Sequence, residues 1–234
     1  MKNLKKWTFL LLAVTFLGIV ASCNNDDDSY YSNYYVQFGT LTKQDRTYYI
    51  QFDGEKDNYQ VTDSTLLVYR QLNTKFPQRI IASYYYGDLR KDTSTPTVTL
   101  RDIVGVLTKD LATAPKDETE SEKLGNDIIR ASRAWISEGY LNVQFIVPTT
   151  ANTLKAHLIN AYDTGQTDTD GYGIIELRHN SNGISQNFWS GTSYVSFTWP
   201  VTENDKSYKL RFYYDKGMQR TIPIERYWEC TAQQ

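Results

Sequence analysis

Gly139-Tyr140-Leu141-Asn142-Val143-Gln144-Phe145-Ile146-Val147 alternates with period two. Leu141, Val143, Phe145 and Val147 fall on one face, the pattern of a half-buried strand. Pro148 ends the run, because it has no N–H for a ladder. Outward from this strand the text stays β-rich. Gly173 to Arg178, Tyr194 to Trp199, and Leu210 to Tyr214 with Thr221 to Ile224 read as further strands. Asn180-Ser181-Asn182-Gly183 and Asp215-Lys216-Gly217 supply turns between them. Upstream, Ile128 to Ile136 fits a helix or a lead-in strand. Leu154, Ala156 and Leu158 fit a strand, although Leu154, Leu158 and Ala161 would also suit a helix. Strand is the choice there, because the neighbours are strands. About seven strands spaced by turns predict a β-sandwich over 127–234.

The first half has the same character in a smaller unit. Tyr35 to Leu41, Tyr48 to Phe52, Tyr59 to Val61, Arg79 to Tyr86, and Thr97 to Leu100 with Ile103 to Leu107 alternate or are strongly β-prone. Ser64 to Gln71 fits a strand or a turn of helix. About five short strands over 34–112 predict a small closed barrel, which leaves no open edge. Residues 113–126 are charged, hold Pro115 and Gly125, and read as a linker.

The N-terminus carries an address. Lys2, Lys5 and Lys6 precede a charge-free apolar stretch from Trp7 to Ala21, too short to span a bilayer and right for a secretory leader. Val20-Ala21-Ser22-Cys23 has the form of a bacterial lipobox, which predicts a cleaved signal peptide over 1–22 and lipidation of Cys23. Asn24 to Ser29, with Asp26, Asp27 and Asp28, opens an acidic tether over 23–33. Acyl chains on Cys23 would hold the chain to a membrane without a transmembrane helix.

Composition narrows the partners. Residues 1–22 contain three of the 25 basic residues and none of the 27 acidic ones, so the remaining chain has a formal charge of −5. An acidic surface disfavours nucleic acid as a partner. Arg79, Arg90, Lys91 and Arg101 lie near tyrosines but do not reverse that balance. With Cys23 acylated, only Cys230 remains and no intrachain disulfide can form. A small buried hydrophobe is the reading for Cys230.

These pieces together resemble the NigD-like lipoproteins of Bacteroidetes. The resemblance rests on the lipobox and acidic tether, on Trp135 with Gly139-Tyr140-Leu141-Asn142-Val143-Gln144-Phe145, on His157-Leu158-Ile159, and on Glu176-Leu177-Arg178-His179-Asn180. It implies an OB-like N-terminal barrel followed by a C-terminal β-sandwich, an all-β fold. The acidic run after the cysteine resembles a surface-export signal of such lipoproteins. It implies an outer-membrane anchor on the cell-surface side, with the periplasmic face as the alternative. The family takes its name from a gene in a bacteriocin locus and brings no catalytic residues.

Linear motifs for chemistry are few. His157 and His179 have no zinc-motif spacing, so packing roles are expected and no metal site is assigned. Asp168-Thr169-Asp170-Gly171 fails the EF-hand register and reads as a polar turn, with a looser calcium site including Asp163 left open. Neither a nucleophile elbow nor a phosphate loop occurs. The expectation is a non-enzymatic binding or interaction module, without cofactor, for extracellular protein, peptide or glycan. Its candidate contacts are Tyr84, Tyr85, Tyr86 and Trp189. A bacteriocin-associated, immunity-type role and a hydrolase whose site is assembled only in space are the alternatives.

Overall fold

The structure is a computed structural model that describes residues 34–72, 74–87, 95–150, 157–184, 188–200 and 206–226. The leader, Cys23, the acidic tether, Arg90, Lys91 and Cys230 lie outside the described residues.

The barrel comprises β1 (Tyr35–Gln44), β2 (Thr47–Phe52), β3 (Asn58–Val61), α1 (Thr65–Tyr69), β4 (Gln78–Tyr86) and β5 (Thr97–Gly105). Its order β1-β2-β3-β5-β4 closes where β4 returns to β1. All pairs are antiparallel except β3 with β5. Alternation sends Ile80, Ala82 and Tyr84 of β4 inward with Leu41, Ile50, Phe52, Val98 and Ile103. The short helix α1 adds buried Leu67 to the same core. The two runs read between 97 and 107 are one strand. Its register slips where Ser83 faces Asp102 and Tyr84 faces Leu100, so Arg101 is the extra residue of a bulge.

The chain then changes partner. β6 (Leu107–Asp110) pairs in parallel with a strand of the second unit, so Leu107 leaves the barrel. The linker stretch contains α2 (Glu118–Leu124). Asp117 caps it by accepting from the Glu120 N–H at 2.8 Å, and Glu120 accepts from the Lys116 N–H at 2.9 Å. Next come β7 (Arg130–Ser137), β8 (Tyr140–Ile146), β9 (Pro148–Thr149), β10 (Leu158–Thr167), β11 (Gly173–Asn180), β12 (Phe188–Trp189), β13 (Ser193–Thr198), β14 (Tyr208–Asp215) and β15 (Met218–Arg226). Eight of these strands form one sheet, ordered β10-β11-β14-β15-β7-β8-β13-β6, and β9 with β12 forms a separate ribbon.

The eight-stranded sheet curls over a single core. Leu141, Val143, Phe145 and Val147, the apolar face of the opening stretch, all lie in it with Ile175, Leu177, Phe197, Leu210 and Phe212. Its two ends approach each other: the Ala112 N–H donates to the Ala161 carbonyl at 2.7 Å, and Lys109 Nζ donates to the Ile159 carbonyl at 2.9 Å. The open edges are thereby partly covered.

A buried polar cluster joins the barrel to the sandwich. Arg79 donates through Nη1 and Nη2 to the two oxygens of Asp53 at 2.6 and 2.7 Å, and both side chains are fully buried. Arg79 Nη2 also donates to Asn142 Oδ1 at 3.2 Å. Ser137 Oγ donates to Asp53, Asn142 Nδ2 to Ser137 Oγ at 2.8 Å, and Ser196 Oγ to Asn142 Oδ1 at 2.7 Å. Phe38 of the barrel meets Trp135 and Tyr194 edge-on at 5.1 and 5.3 Å. A paired charge of this kind tolerates burial only while every partner stays in place.

Candidate functional site

The ribbon β9–β12 organises two groups of side chains. Directly opposed residues in an antiparallel pair share a face, and successive residues alternate. Pro148 opposes Trp189, and Thr149 opposes Phe188. The ribbon therefore presents Trp189 on one face and Thr149 with Phe188 on the other. Both aromatic rings are exposed, Trp189 to 38% and Phe188 to 49%.

On the Trp189 face, cations and rings alternate across four strands. The Arg130 guanidinium lies 4.0 Å from the Trp189 ring and 5.1 Å from the Tyr214 ring, and the Arg220 guanidinium lies 5.7 Å from that same tyrosine. Among the described residues, neither arginine has a carboxylate partner. Each exposed cation–π contact contributes about 0.5–1 kcal/mol. Sequence reading selected Trp189 alone. Arg130, Tyr214 and Arg220 carry no linear signal, because the ladder exists only once β7, β12, β14 and β15 are side by side.

On the other face the two histidines meet. His157 Nδ1 and His179 Nε2 are 2.8 Å apart, His179 Nδ1 is 2.8 Å from the Ile128 carbonyl, and His157 Nε2 is 3.2 Å from Thr149 Oγ1. One fixed acceptor sets the tautomers of this chain. A carbonyl only accepts, so His179 carries its proton on Nδ1 and offers a lone pair at Nε2. His157 then donates from Nδ1, and its free Nε2 accepts from the Thr149 hydroxyl. His179 is fully buried, and that burial pushes its pKa down to about 4. Half-buried His157 is also lowered, again by desolvation, while the Asp127 carboxylate partly opposes this at both rings. Both imidazoles are therefore neutral at pH 7.

The tyrosine triplet divides by face. Tyr84 is fully buried, stacks on Phe52 with ring centroids 4.0 Å apart, and donates to Gln37 Oε1 at 2.9 Å. It is a barrel-core residue, closed to an external ligand. Tyr86 shares its face and lies half-buried against Tyr59 and Tyr35, while Tyr85 points the other way, also half-buried. Burial raises the phenol pKa of both Tyr84 and Tyr86. The acidic turn has its own cation. Lys209 Nζ donates to Asp168 Oδ2 at 2.7 Å and to Asp170 Oδ2 at 2.9 Å, while Asp163 accepts from the Gly165 N–H. The Asp168 and Asp170 carboxylates are thus paired with an ammonium. Among the described residues no group of three His, Cys, Asp or Glu is arranged to hold a metal.

Residues 112–212 match the family model of the NigD-like C-terminal beta sandwich domain. Over that stretch the chain is similar to this domain family. Solved structures share the wider architecture. A protein of unknown function, DUF1344, from Bacteroides vulgatus ATCC 8482 aligns with TM-score 0.64 at 21% identity over 86% of this chain and 93% of its own. A NigD-like immunity protein from Bacteroides caccae ATCC 43185 aligns with TM-score 0.58 at 20% identity over 83% and 94%. A candidate lipoprotein from Bacteroides fragilis NCTC 9343 aligns with TM-score 0.57 at 10% identity over 82% and 98%. At these identities the likeness is one of fold. No curated protein matches the chain.

Within the matched stretch the residues that carried the resemblance now have physical roles. Trp135 and Asn142 dock the barrel. Arg178 holds α2 by donating to the Gly125 carbonyl at 2.7 Å and the Ser121 carbonyl at 3.0 Å, and it pairs with buried Glu176 at 3.0 Å. Gly125 adopts φ +78° with its Cα against β11, where a Cβ would sit 2.4 Å from the His179 carbonyl oxygen. The sandwich thus uses β11 both to seat α2 and to orient the histidine chain.

Proposed function

We propose that this protein is a lipid-anchored lipoprotein of the outer membrane, displayed on the cell surface, that captures an acidic extracellular protein through its NigD-like domain. The observation that carries the reading is the exposed Trp189–Arg130–Tyr214–Arg220 ladder. Tryptophan, tyrosine and arginine dominate the energetics of protein interfaces. Two arginines without carboxylate partners among the described residues, on a chain of net negative charge, favour an anionic counterpart. Anchoring through Cys23 and the acidic run behind it would place the ladder clear of the membrane.

The test is cross-linking on intact cells that express the full-length chain, with external protease to establish its exposure. Wild type is compared with Trp189→Ala/Arg130→Glu. A cross-linked protein lost in the variant, with both chains cut by external protease, supports the reading. The same partners at the same yield in both would overturn it.

A second reading is an immunity-type role, favoured by the likeness to the NigD-like immunity protein of Bacteroides caccae. Deleting the gene should then increase killing by a related toxin, and unchanged sensitivity would reject that role.

A further inference from the structure

We propose that Thr149, His157 and His179 form an acyl-transfer triad in which Thr149 is the nucleophile. This goes beyond the binding reading and revises the expectation of a non-enzymatic module, which rested on linear motifs. A nucleophilic hydroxyl needs a base within hydrogen-bond reach and a third group that orients the base. All three roles are filled. The Thr149 hydroxyl donates to His157 Nε2 at 3.2 Å, a loose contact of the kind seen before substrate binds. His157 Nδ1–H donates to His179 Nε2 at 2.8 Å, and His179 is locked from behind by the Ile128 carbonyl at 2.8 Å. The polarity runs in one direction only, so the lone pair of His157 faces the hydroxyl.

The burial gradient suits the roles. His179 is fully buried, His157 and Thr149 are half-buried, and the exposed Phe188 ring lies directly opposite Thr149. An ester with an apolar acyl chain would rest on Phe188 with its carbonyl at the hydroxyl. Asp127, whose charge acts on both imidazoles, supplies the negative field that would stabilise a transient imidazolium. His179 is a positioning residue and touches no reacting atom.

The step balances without a cofactor. Thr149 Oγ1 bonds to the ester carbonyl carbon, and its proton passes to His157 Nε2. The bond to the leaving alkoxide breaks, and the alkoxide takes that proton to become an alcohol. Water then attacks the acyl-threonine, again through His157, and releases a carboxylic acid with Thr149 restored. One ester and one water give one acid and one alcohol.

The probe is p-nitrophenyl acetate with the full chain from Cys23 onward, read by nitrophenolate release and by peptide mass spectrometry for acetyl-threonine. Expected are acetyl on Thr149 and a rate that falls about 100-fold or more in Thr149→Val and His157→Ala. Thr149→Ser should keep turnover. His179→Gln can accept from His157 and donate to Ile128, so it should retain more activity than His179→Ala. Met218→Ala, at the exposed start of β15, should leave the rate unchanged. Thr149→Val is isosteric and preserves the fold, so full activity in that variant would overturn the proposal. A wild-type rate no faster than buffer, or acetyl found only on lysines, would do the same.

Discussion

A single carbonyl, that of Ile128, sets the protonation of two rings and a hydroxyl. The consequence for stability has a definite sign. His179 is depressed to about 4 in the folded protein, whereas it titrates near 6.5 when unfolded. Between those values the unfolded chain binds the extra proton, so stability rises with pH. Its contribution is complete above pH 6.5 and is lost as pH falls toward 4. Asp127 is the acidic group acting on this pair, and it offsets only part of the effect. Urea denaturation should show about 3 kcal/mol less stability at pH 4 than at pH 7 from this group. His179→Gln should flatten that slope; an unchanged slope would mean that the ring does not control it. The tyrosine triplet gives a second residue-scale contrast. Tyr84→Ala should cost about 3–5 kcal/mol, because it leaves a cavity against Phe52, whereas Tyr85→Ala should cost far less. Thermal melts of the two variants measure the difference.

At the scale of elements, α2 is too short and too charged to persist alone. None of its residues is buried, and seven residues cannot sustain an isolated helix in water. It is held by its Asp117 cap and by β11. Arg178→Leu should release it, since the variant removes donors to the Ser121 and Gly125 carbonyls and takes one of its two arginines from Glu176. Breaking one arm of such a buried pair costs about 3–5 kcal/mol. Hydrogen exchange should then speed up across 118–125 while the amides of β14 stay protected; equal protection in both proteins would reject the dependence. Reading this stretch as a linker recognised its charge and missed its Asp117 cap, because the cap sits beside Pro115 and has no apolar stripe behind it. Of the hairpin β10–β11, Gly173 to Arg178 was legible as a strand, whereas Leu154 and Ala156 lie outside the described residues and the first strand runs from Leu158 to Thr167. Measured from the turn, Thr167 opposes Gly173, yet Asp163 opposes Ile175, so a bulge over 164–166 displaces the strands by two residues. Counting from the turn alone would put Ile159 opposite Ser181, two residues from its true partner His179. The histidine pair therefore could not be assembled from spacing.

On the scale of the whole molecule, the Asp53–Arg79–Asn142 cluster makes two units behave as one. Asp53→Leu should remove the carboxylate that compensates Arg79 and cost about 3–5 kcal/mol. Asn142→Leu should instead loosen docking while both cores remain intact. Calorimetry should show one transition in the wild type and two in the variant; one undivided transition in the variant would show that other contacts suffice for coupling.

Alternation along each strand determined the all-β class, the two blocks and the buried face of Leu141, Val143, Phe145 and Val147, because side-chain direction in a strand is a local property of period two. The apolar leader and Cys23 likewise carry their expectation in contiguous residues. Only the tertiary structure decided which strand belongs to which sheet, as when Leu107 leaves the barrel for β13. It alone moved Tyr84 from surface candidate to core and brought Arg130, Trp189, Tyr214 and Arg220 into one ladder. The same holds for the chain from Ile128 to Thr149. These are relations between residues distant in sequence, set by sheet order, bulges and barrel closure, and no window of neighbouring residues encodes them.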